Sequence, residues 1–397
     1  MKYQKQSVFI LAVLVIAALF WGYDAWQQSK VSGGDWPELD GGLYSQAVVR
    51  EGVSYLVPGS EVYETGVEKD GIPAINDPKY ISVLAADNVI ADDLYGIDVE
   101  VNGEHRYYPY QIMNWHEVVN DTFGDQELAV TYCTLCGTPI VYDRNVDGQT
   151  VEFGVSGKVY NNNTLLYDTS SDALWLQATG QSVVGTTVGK TLTVYPSIVM
   201  RWSDWKSLYP NGEVLSTETG FTRDYTRHPY GKYETSNAIY FPINHTTSAF
   251  ANKWVVSMVK GGSETAAFAR EVLTGVGMQE ATVGDVPMIG VYDFDLDIVR
   301  VFDRRVDGDT LTFTFDYTQK ELRDSATDSL WDATGRAVSG KMKGTQLAEV
   351  TSTTSYWVCA HTMAPAIRPI GAETTAVDAK VEGDTLIVDT TTQNVTQ

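Results

Sequence analysis

The feature that most limits what this chain can fold into is a long internal repeat. Val141-Tyr142-Asp143-Arg144-Asn145-Val146-Asp147-Gly148-Gln149-Thr150-Val151-Glu152-Phe153 returns 160 residues later as Val301-Phe302-Asp303-Arg304-Arg305-Val306-Asp307-Gly308-Asp309-Thr310-Leu311-Thr312-Phe313, with eight of 13 positions identical. Downstream, Asp172-Ala173-Leu174-Trp175 with Gly180 and Gly185 matches Asp328-Ser329-Leu330-Trp331 with Gly335 and Gly340. The register runs on through Trp202 and Pro210 onto Trp357 and Pro365. Two copies of about a hundred residues are too long and too few for a solenoid, so the chain reads as a duplicated domain.

Within each copy, alternating Val, Thr, Tyr and Phe flank an Asp-Gly pair, a strong short-range hairpin signal. The expected class is therefore mainly β (α+β): two homologous β-rich units with short helices. Helices are expected over 110–122, where Ile112, Trp115, Val118 and Val119 recur at helical spacing, over 203–209, and over 264–273 in the second copy. The expected organisation is an anchor at 1–26, a linker at 27–42, an N-terminal extension at 43–97, unit 1 at 98–210, a connector at 211–254, unit 2 at 255–365 and a tail at 366–397, with a hairpin around Gly383-Asp384.

Lys2 and Lys5 precede a charge-free apolar run from Val8 to Tyr23, and Trp21, Tyr23 and Trp26 cluster at its end. That is the pattern of an N-terminal transmembrane helix with an aromatic belt. Bulky residues stand where a cleaved leader needs small ones, so an uncleaved signal anchor is expected. The membrane is then a partner through this helix, and the rest of the chain faces the periplasm or cell exterior. A formal charge of -23 excludes nucleic acid as a partner, because a phosphate backbone is held by clustered Lys and Arg.

Three cysteines in so large an exported chain do not make a disulfide scaffold. Cys133 and Cys136 form a C-x-x-C. Thr131-Tyr132 before it and Gly137-Thr138-Pro139 after it read as strand, tight loop, strand, away from the helix start that activates redox dithiols. An inert local disulfide or buried thiols, half of a metal clamp, and a redox pair all remain open. In the second copy Tyr292-Asp293 replaces Tyr132-Cys133 and Leu296 replaces Cys136, so the sulfurs are not needed to build the unit and point to a local site.

His116 is the best third ligand, with Glu117 and Asp121 near enough to orient an imidazole. Cys133, Cys136 and His116 are thus the expected metal residues, with copper or zinc the expected ion. Cys359, His361 and Met363 are secondary candidates, sharing one face if their segment is a strand. The bland reading, packed residues with no ligand role, stands beside both sets.

Asp143-Arg144 and Asp303-Arg304 occur in both copies, as do the two buried-type tryptophans, which argues for architecture. A polar and aromatic groove for sugar or another neutral ligand is the functional alternative. No G-x-S-x-G, H-E-x-x-H, P-loop or dinucleotide fingerprint is present.

The ordered string His116-Glu117-Val118-Val119-Asn120-Asp121, Val130-Thr131-Tyr132-Cys133-Thr134-Leu135-Cys136-Gly137-Thr138, Tyr142-Asp143-Arg144, Phe153-Gly154-Val155-Ser156-Gly157, Tyr167-Asp168 and Leu174-Trp175-Leu176-Gln177 resembles domain of unknown function family 3179, over about residues 60–365. The resemblance implies a domain identity and no reaction. Thr134 stands where that family usually has Pro, and Cys359-Ala360-His361-Thr362-Met363 stands where it more often has aromatic and aliphatic residues. The functions carried forward are metal binding through the C-x-x-C and His116, thiol-disulfide exchange by the same cysteines, and non-catalytic binding of glycan or protein.

Overall fold

The computed structural model describes residues 43–372 and two short strands of the tail, Val381–Glu382 and Thr385–Leu386, which pair antiparallel. The expected transmembrane helix and linker lie outside the described residues. Among the described residues, no helix is long and apolar enough to cross a membrane.

The chain is mainly β, and one run of elements occurs twice. The first run is β1 (Tyr95–Val101), β2 (Glu104–Pro109), α1 (Tyr110–His116), β3 (Val118–Phe123), β4 (Gln126–Cys133) and β5 (Thr138–Asp143). It continues with β6 (Phe153–Tyr160), β7 (Asn163–Asp168), β8 (Leu174–Leu176), β9 (Gln181–Val184), β10 (Ile198–Arg201) and α2 (Trp202–Leu208). The second run is β11 (Val255–Gly261), β12 (Glu264–Ala269), α3 (Arg270–Val276), β13 (Met278–Val283), β14 (Val286–Asp293) and β15 (Ile298–Asp303). Its remainder is β16 (Phe313–Asp316), β17 (Glu321–Asp324), β18 (Leu330–Trp331), β19 (Ala337–Ser339), β20 (Thr353–Tyr356) and α4 (Trp357–Met363).

Each run folds into three small sheets, beside a two-stranded hairpin formed by Asn145–Val146 and Gln149–Thr150 in the first copy and by Arg305–Val306 and Asp309–Thr310 in the second. In the first copy the three sheets are β10-β1-β2, continued by Glu213–Leu215 and Tyr80–Ser82; β5-β4-β3 with Val194–Tyr195 on its edge; and β9-β8-β7-β6. The second copy repeats them as β20-β11-β12 with Arg368–Ile370, β13-β14-β15 with Ala348–Glu349, and β16-β17-β18-β19. Residues before β1 add the strands Val48–Arg50, Val53–Tyr55 and Tyr63–Glu64 to the third sheet of the first copy.

The repeated sequence motifs carry repeated contacts. Asp147 and Gly148 both have positive φ, as do Asp307 and Gly308, the geometry of a tight two-residue hairpin turn. Trp175 and Trp331 are fully buried and donate Nε1–H to Asp168 (2.9 Å) and Asp324 (3.1 Å). Each meets a phenylalanine edge-on with centroids 5.7 Å apart, Phe153 and Phe313 respectively. An indole N–H kept satisfied in an apolar layer lets the ring fill the core without stranding a donor.

Three local expectations are corrected. The first helix ends at His116, because Glu117 takes a positive φ of 58°, and Val118 and Val119 belong to β3, not to the helix face suggested by their spacing. In the second copy, 264–269 is strand β12, paired with β11 and Arg368–Ile370; the helix starts only at Arg270. Cys359, His361 and Met363 stand on α4, where a two-residue step turns His361 to the side opposite Cys359 and Met363.

Candidate functional site: a buried thiol beside an inter-unit cleft

The C-x-x-C forms the loop between β4 and β5. The Cys136 N–H donates to the Cys133 carbonyl (3.1 Å), closing a tight turn, and Gly137 follows at φ +55°. A Cβ on Gly137 would lie 2.7 Å from the Tyr356 ring, so glycine is required by conformation and by space. The two loop cysteines are not bonded to each other. Cys136 is joined to Cys359 of α4, 223 residues away, with Cα atoms 5.5 Å apart, while Cys133 is a free, fully buried thiol.

This disulfide fastens the first copy to the second, and its neighbourhood is stitched by hydrogen bonds. Tyr356 donates its N–H to the Cys136 carbonyl (2.7 Å), and the Thr138 hydroxyl meets that of Ser355 (3.0 Å).

His116 is not drawn to the sulfurs. Its ring is buried, with Nδ1 2.7 Å from the Pro73 carbonyl and Nε2 2.7 Å from the Tyr225 hydroxyl. Nδ1–H therefore donates to the carbonyl and Nε2 accepts from the phenol, which fixes the tautomer. Burial lowers its pKa to about 4. With both nitrogens engaged and Cys136 committed to a disulfide, Cys133, Cys136 and His116 do not fit a copper or zinc clamp, which needs thiolates and a free imidazole nitrogen. Among the described residues, no group of three or more His, Cys, Asp or Glu side chains is arranged to hold a metal ion.

The secondary set also separates. Cys359 is in the disulfide, and Met363 packs against the cluster around Tyr44, Leu56 and Val57. His361 is buried against Trp357, with neither ring nitrogen hydrogen-bonded and the His245 ring 5.5 Å away.

Around Cys133 the first copy carries a polar layer that the second lacks. The backbone N–H and the hydroxyl of Thr164 each lie 3.5 Å from Cys133 Sγ. The same hydroxyl is 2.9 Å from Glu117 Oε2, and the Tyr230 hydroxyl donates to Glu117 Oε1 at 2.6 Å. Burial raises the pKa of Glu117, against the pull of those two hydrogen bonds. Burial, aided by the Glu117 charge, pushes the Cys133 thiol up to about 11. Nearby, Lys253 Nζ sits 3.0 Å from the Tyr233 ring centre and 5.0 Å from that of Tyr356, and burial lowers its pKa to about 7. At the equivalent positions of the second copy stand Gly277 for Glu117, Val291 for Thr131, Asp293 for Cys133, Phe294 for Thr134 and Leu296 for Cys136. Laying the copies together at that register is the sequence signal that singles out Glu117; Thr164, Tyr230 and Lys253 have no such signal.

Above the C-x-x-C loop, the two copies enclose a cleft of about 490 Å³. Tyr95, Tyr110, Tyr132 and Tyr195 line it from the first copy and Tyr356 from the second, with Tyr110 stacked on Tyr132 at 4.1 Å. Four of its charged groups form ion pairs within the protein, and the fifth, Glu234, accepts from the Tyr132 hydroxyl (3.3 Å). Arg270 and the Tyr95 and Tyr292 hydroxyls all meet Asp297, and Arg300 bridges to Glu349 (2.7 Å). Burial raises the pKa of each of the five lining tyrosines, so the phenols stay neutral.

A second, polar hollow of about 700 Å³ surrounds Asp121. Its carboxylate already accepts from Tyr80 (2.6 Å), Tyr108 (2.5 Å) and Arg106 (2.9 Å), so the protein itself answers the charge.

No curated protein and no solved structure matches the chain. Residues 69–366, which contain both copies, the disulfide and the cleft, match the family model described as "Protein of unknown function (DUF3179)". The match covers most of the chain, and the protein is therefore a member of the DUF3179 family.

Proposed function

We propose that the protein is a non-catalytic binding protein that takes a short neutral glycan in the cleft between its two copies. The observation that carries this reading is the set of neutral tyrosines on both walls, next to two ion pairs whose members already answer each other's charge. Flat rings with polar edges suit a sugar, whose faces are apolar and whose rim is hydroxylated. An anionic ligand would have to compete with Asp297 or Glu349 for Arg270 or Arg300. The volume falls in the range of roughly 300–1,000 Å³ common to small-molecule pockets.

The disulfide ties the loop between β4 and β5 to α4, which follows β20, holding the cleft in a binding geometry before the ligand arrives. A buried inter-unit disulfide suits an oxidising compartment. Together with the apolar N-terminal run, it supports a place outside the cytoplasm, tethered to the membrane. Catalysis on an external disulfide is disfavoured, because Cys133 is sealed from solvent and its thiol is held protonated.

The test is isothermal titration of the full chain with cellobiose, maltose and chitobiose. Saturable binding of at least one is expected, weakened about two- to tenfold by Tyr195→Ala, since a stacking contact contributes about 0.5–1.5 kcal/mol. Absence of binding by all three, or affinity indifferent to Tyr195, contradicts the reading.

A further inference from the structure

Cys133 is a buried thiol beside a disulfide, and its use is not explained by the cleft. Three sulfurs, Cys133, Cys136 and Cys359, share one apolar cluster with Val159, Tyr233 and Val358. Two of them are presented to the turn after β6 and the start of β7. Cys136 Sγ lies 3.3 Å from the Asn162 carbonyl, and Cys133 Sγ lies 3.5 Å from the Thr164 N–H. The turn that joins Cys133 to Cys136 is closed by a backbone hydrogen bond across four residues. Such a turn keeps its end Cα atoms within about 7 Å, the separation that a disulfide can bridge.

From this arrangement we propose that the protein contains an internal thiol-disulfide exchange site, in which Cys133 attacks Cys136, forms the Cys133–Cys136 bond within the C-x-x-C, and releases Cys359. One S–S bond forms and one breaks, so no external oxidant or reductant is consumed. The proton has a route. The single hydroxyl proton of Thr164 is given to Glu117 Oε2, which leaves the thiol of Cys133 to donate to Thr164 Oγ1. Transfer along this line makes Cys133 a thiolate and Glu117 a neutral acid. Cys359 then departs as the thiolate, and the net charge of the core is unchanged. Asn162 Nδ2, 4.0 Å from Cys359 Sγ, is the nearby donor that faces it.

Glu117 acts here as a positioning residue through Thr164. Its conformation fits such a role: it is a buried carboxylate at positive φ where the second copy has Gly277. A non-glycine residue held in that region is the kind of local strain that functional sites retain. Exchange would cut the covalent tie between the copies beneath the cleft. That consequence for ligand binding rests on the binding reading above; the exchange itself does not.

The test uses the full-length oxidised protein, held native at pH 8 with excess iodoacetamide and no added thiol, then mapped by peptide mass spectrometry. The expected product has Cys133 bonded to Cys136 and Cys359 alkylated, accumulating with time. Alkylation of Cys133 with Cys136–Cys359 intact, or no alkylation at all, overturns the proposal. Cys359→Ser gives an independent arm: mild oxidation with diamide should link Cys133 to Cys136, and two cysteines that stay alkylatable would contradict it. Glu117→Gln should slow trapping in the otherwise native chain by about 10²-fold. It should also make the rate climb tenfold per pH unit, where the native profile is flatter. An unchanged rate and pH profile would remove Glu117 from the mechanism.

Discussion

Glu117 and Gly277 occupy the same place in the two copies: each follows a seven-residue helix, has a positive φ (58° and 74°), and donates its N–H to the carbonyl four residues back at 2.7 Å. Glycine is the residue this position favours. The first copy gives up that ease and gains a carboxylate that accepts from Thr164 and Tyr230. Replacing Glu117 by Gly should relieve about 1 kcal/mol of backbone strain but strand two buried hydroxyls, each costing about 1–3 kcal/mol. A net loss of stability in urea unfolding is expected, and a gain would mean that those hydrogen bonds contribute nothing.

The inter-unit disulfide should dominate the stability of the whole. Removing it by Cys359→Ser frees a loop of 223 residues in the unfolded chain, so a loss of about 2–5 kcal/mol is expected. Cys133→Ser leaves the bond in place and should cost much less. Equal losses for the two variants, measured by denaturant midpoints, would show that the bond is not the tie between the copies.

Gly137→Ala should damage the cleft. The new methyl would meet the Tyr356 ring at 2.7 Å on a backbone with φ +55°, and both faults act together. A destabilisation of about 1–3 kcal/mol is expected, with weaker binding of whichever disaccharide the native protein takes. A variant that matches the native protein in both would place Tyr356 away from the loop.

Two buried histidines should respond oppositely to substitution. His116 and His361 are both lowered to about 4 by burial, against about 6.5 when unfolded. Between those values the unfolded chain binds more protons, so each contributes stability that is full above pH 6.5 and is lost as pH falls toward 4. His361→Phe removes two unpartnered nitrogens and should raise stability by about 1 kcal/mol, whereas His116→Phe strands the Pro73 carbonyl and leaves the Tyr225 hydroxyl with Thr219 alone, and should lower it by about 1–3 kcal/mol. Each variant should also take up one proton fewer on unfolding near pH 5, as read from the slope of stability against pH. Identical slopes in variants and native protein would contradict the assignment.

Much of the framework was legible because it rests on local rules. Asp147-Gly148 and Asp307-Gly308 announce their turns, and the strands flanking them follow from alternation. Helix limits were less so: Val118 and Val119 have helical spacing but are claimed by pairing with β4, and the alanines of β12 by strands on both sides. The site was hidden further. Nothing in the spacing of Cys133, Cys136 and Cys359 says which two will bond, because the partners meet only after both copies have folded and docked. The cleft tyrosines come from five separate segments and share no local pattern.

The central claim is that ligand binds between the two copies, touching both. Hydrogen-deuterium exchange of the full chain, with and without the disaccharide it binds, tests this most directly. Protection is expected in the loop leading into Thr138–Asp143 of the first copy and in Thr353–Tyr356 of the second at the same ligand concentration. Protection confined to one copy, or centred on the hollow around Asp121, would contradict it.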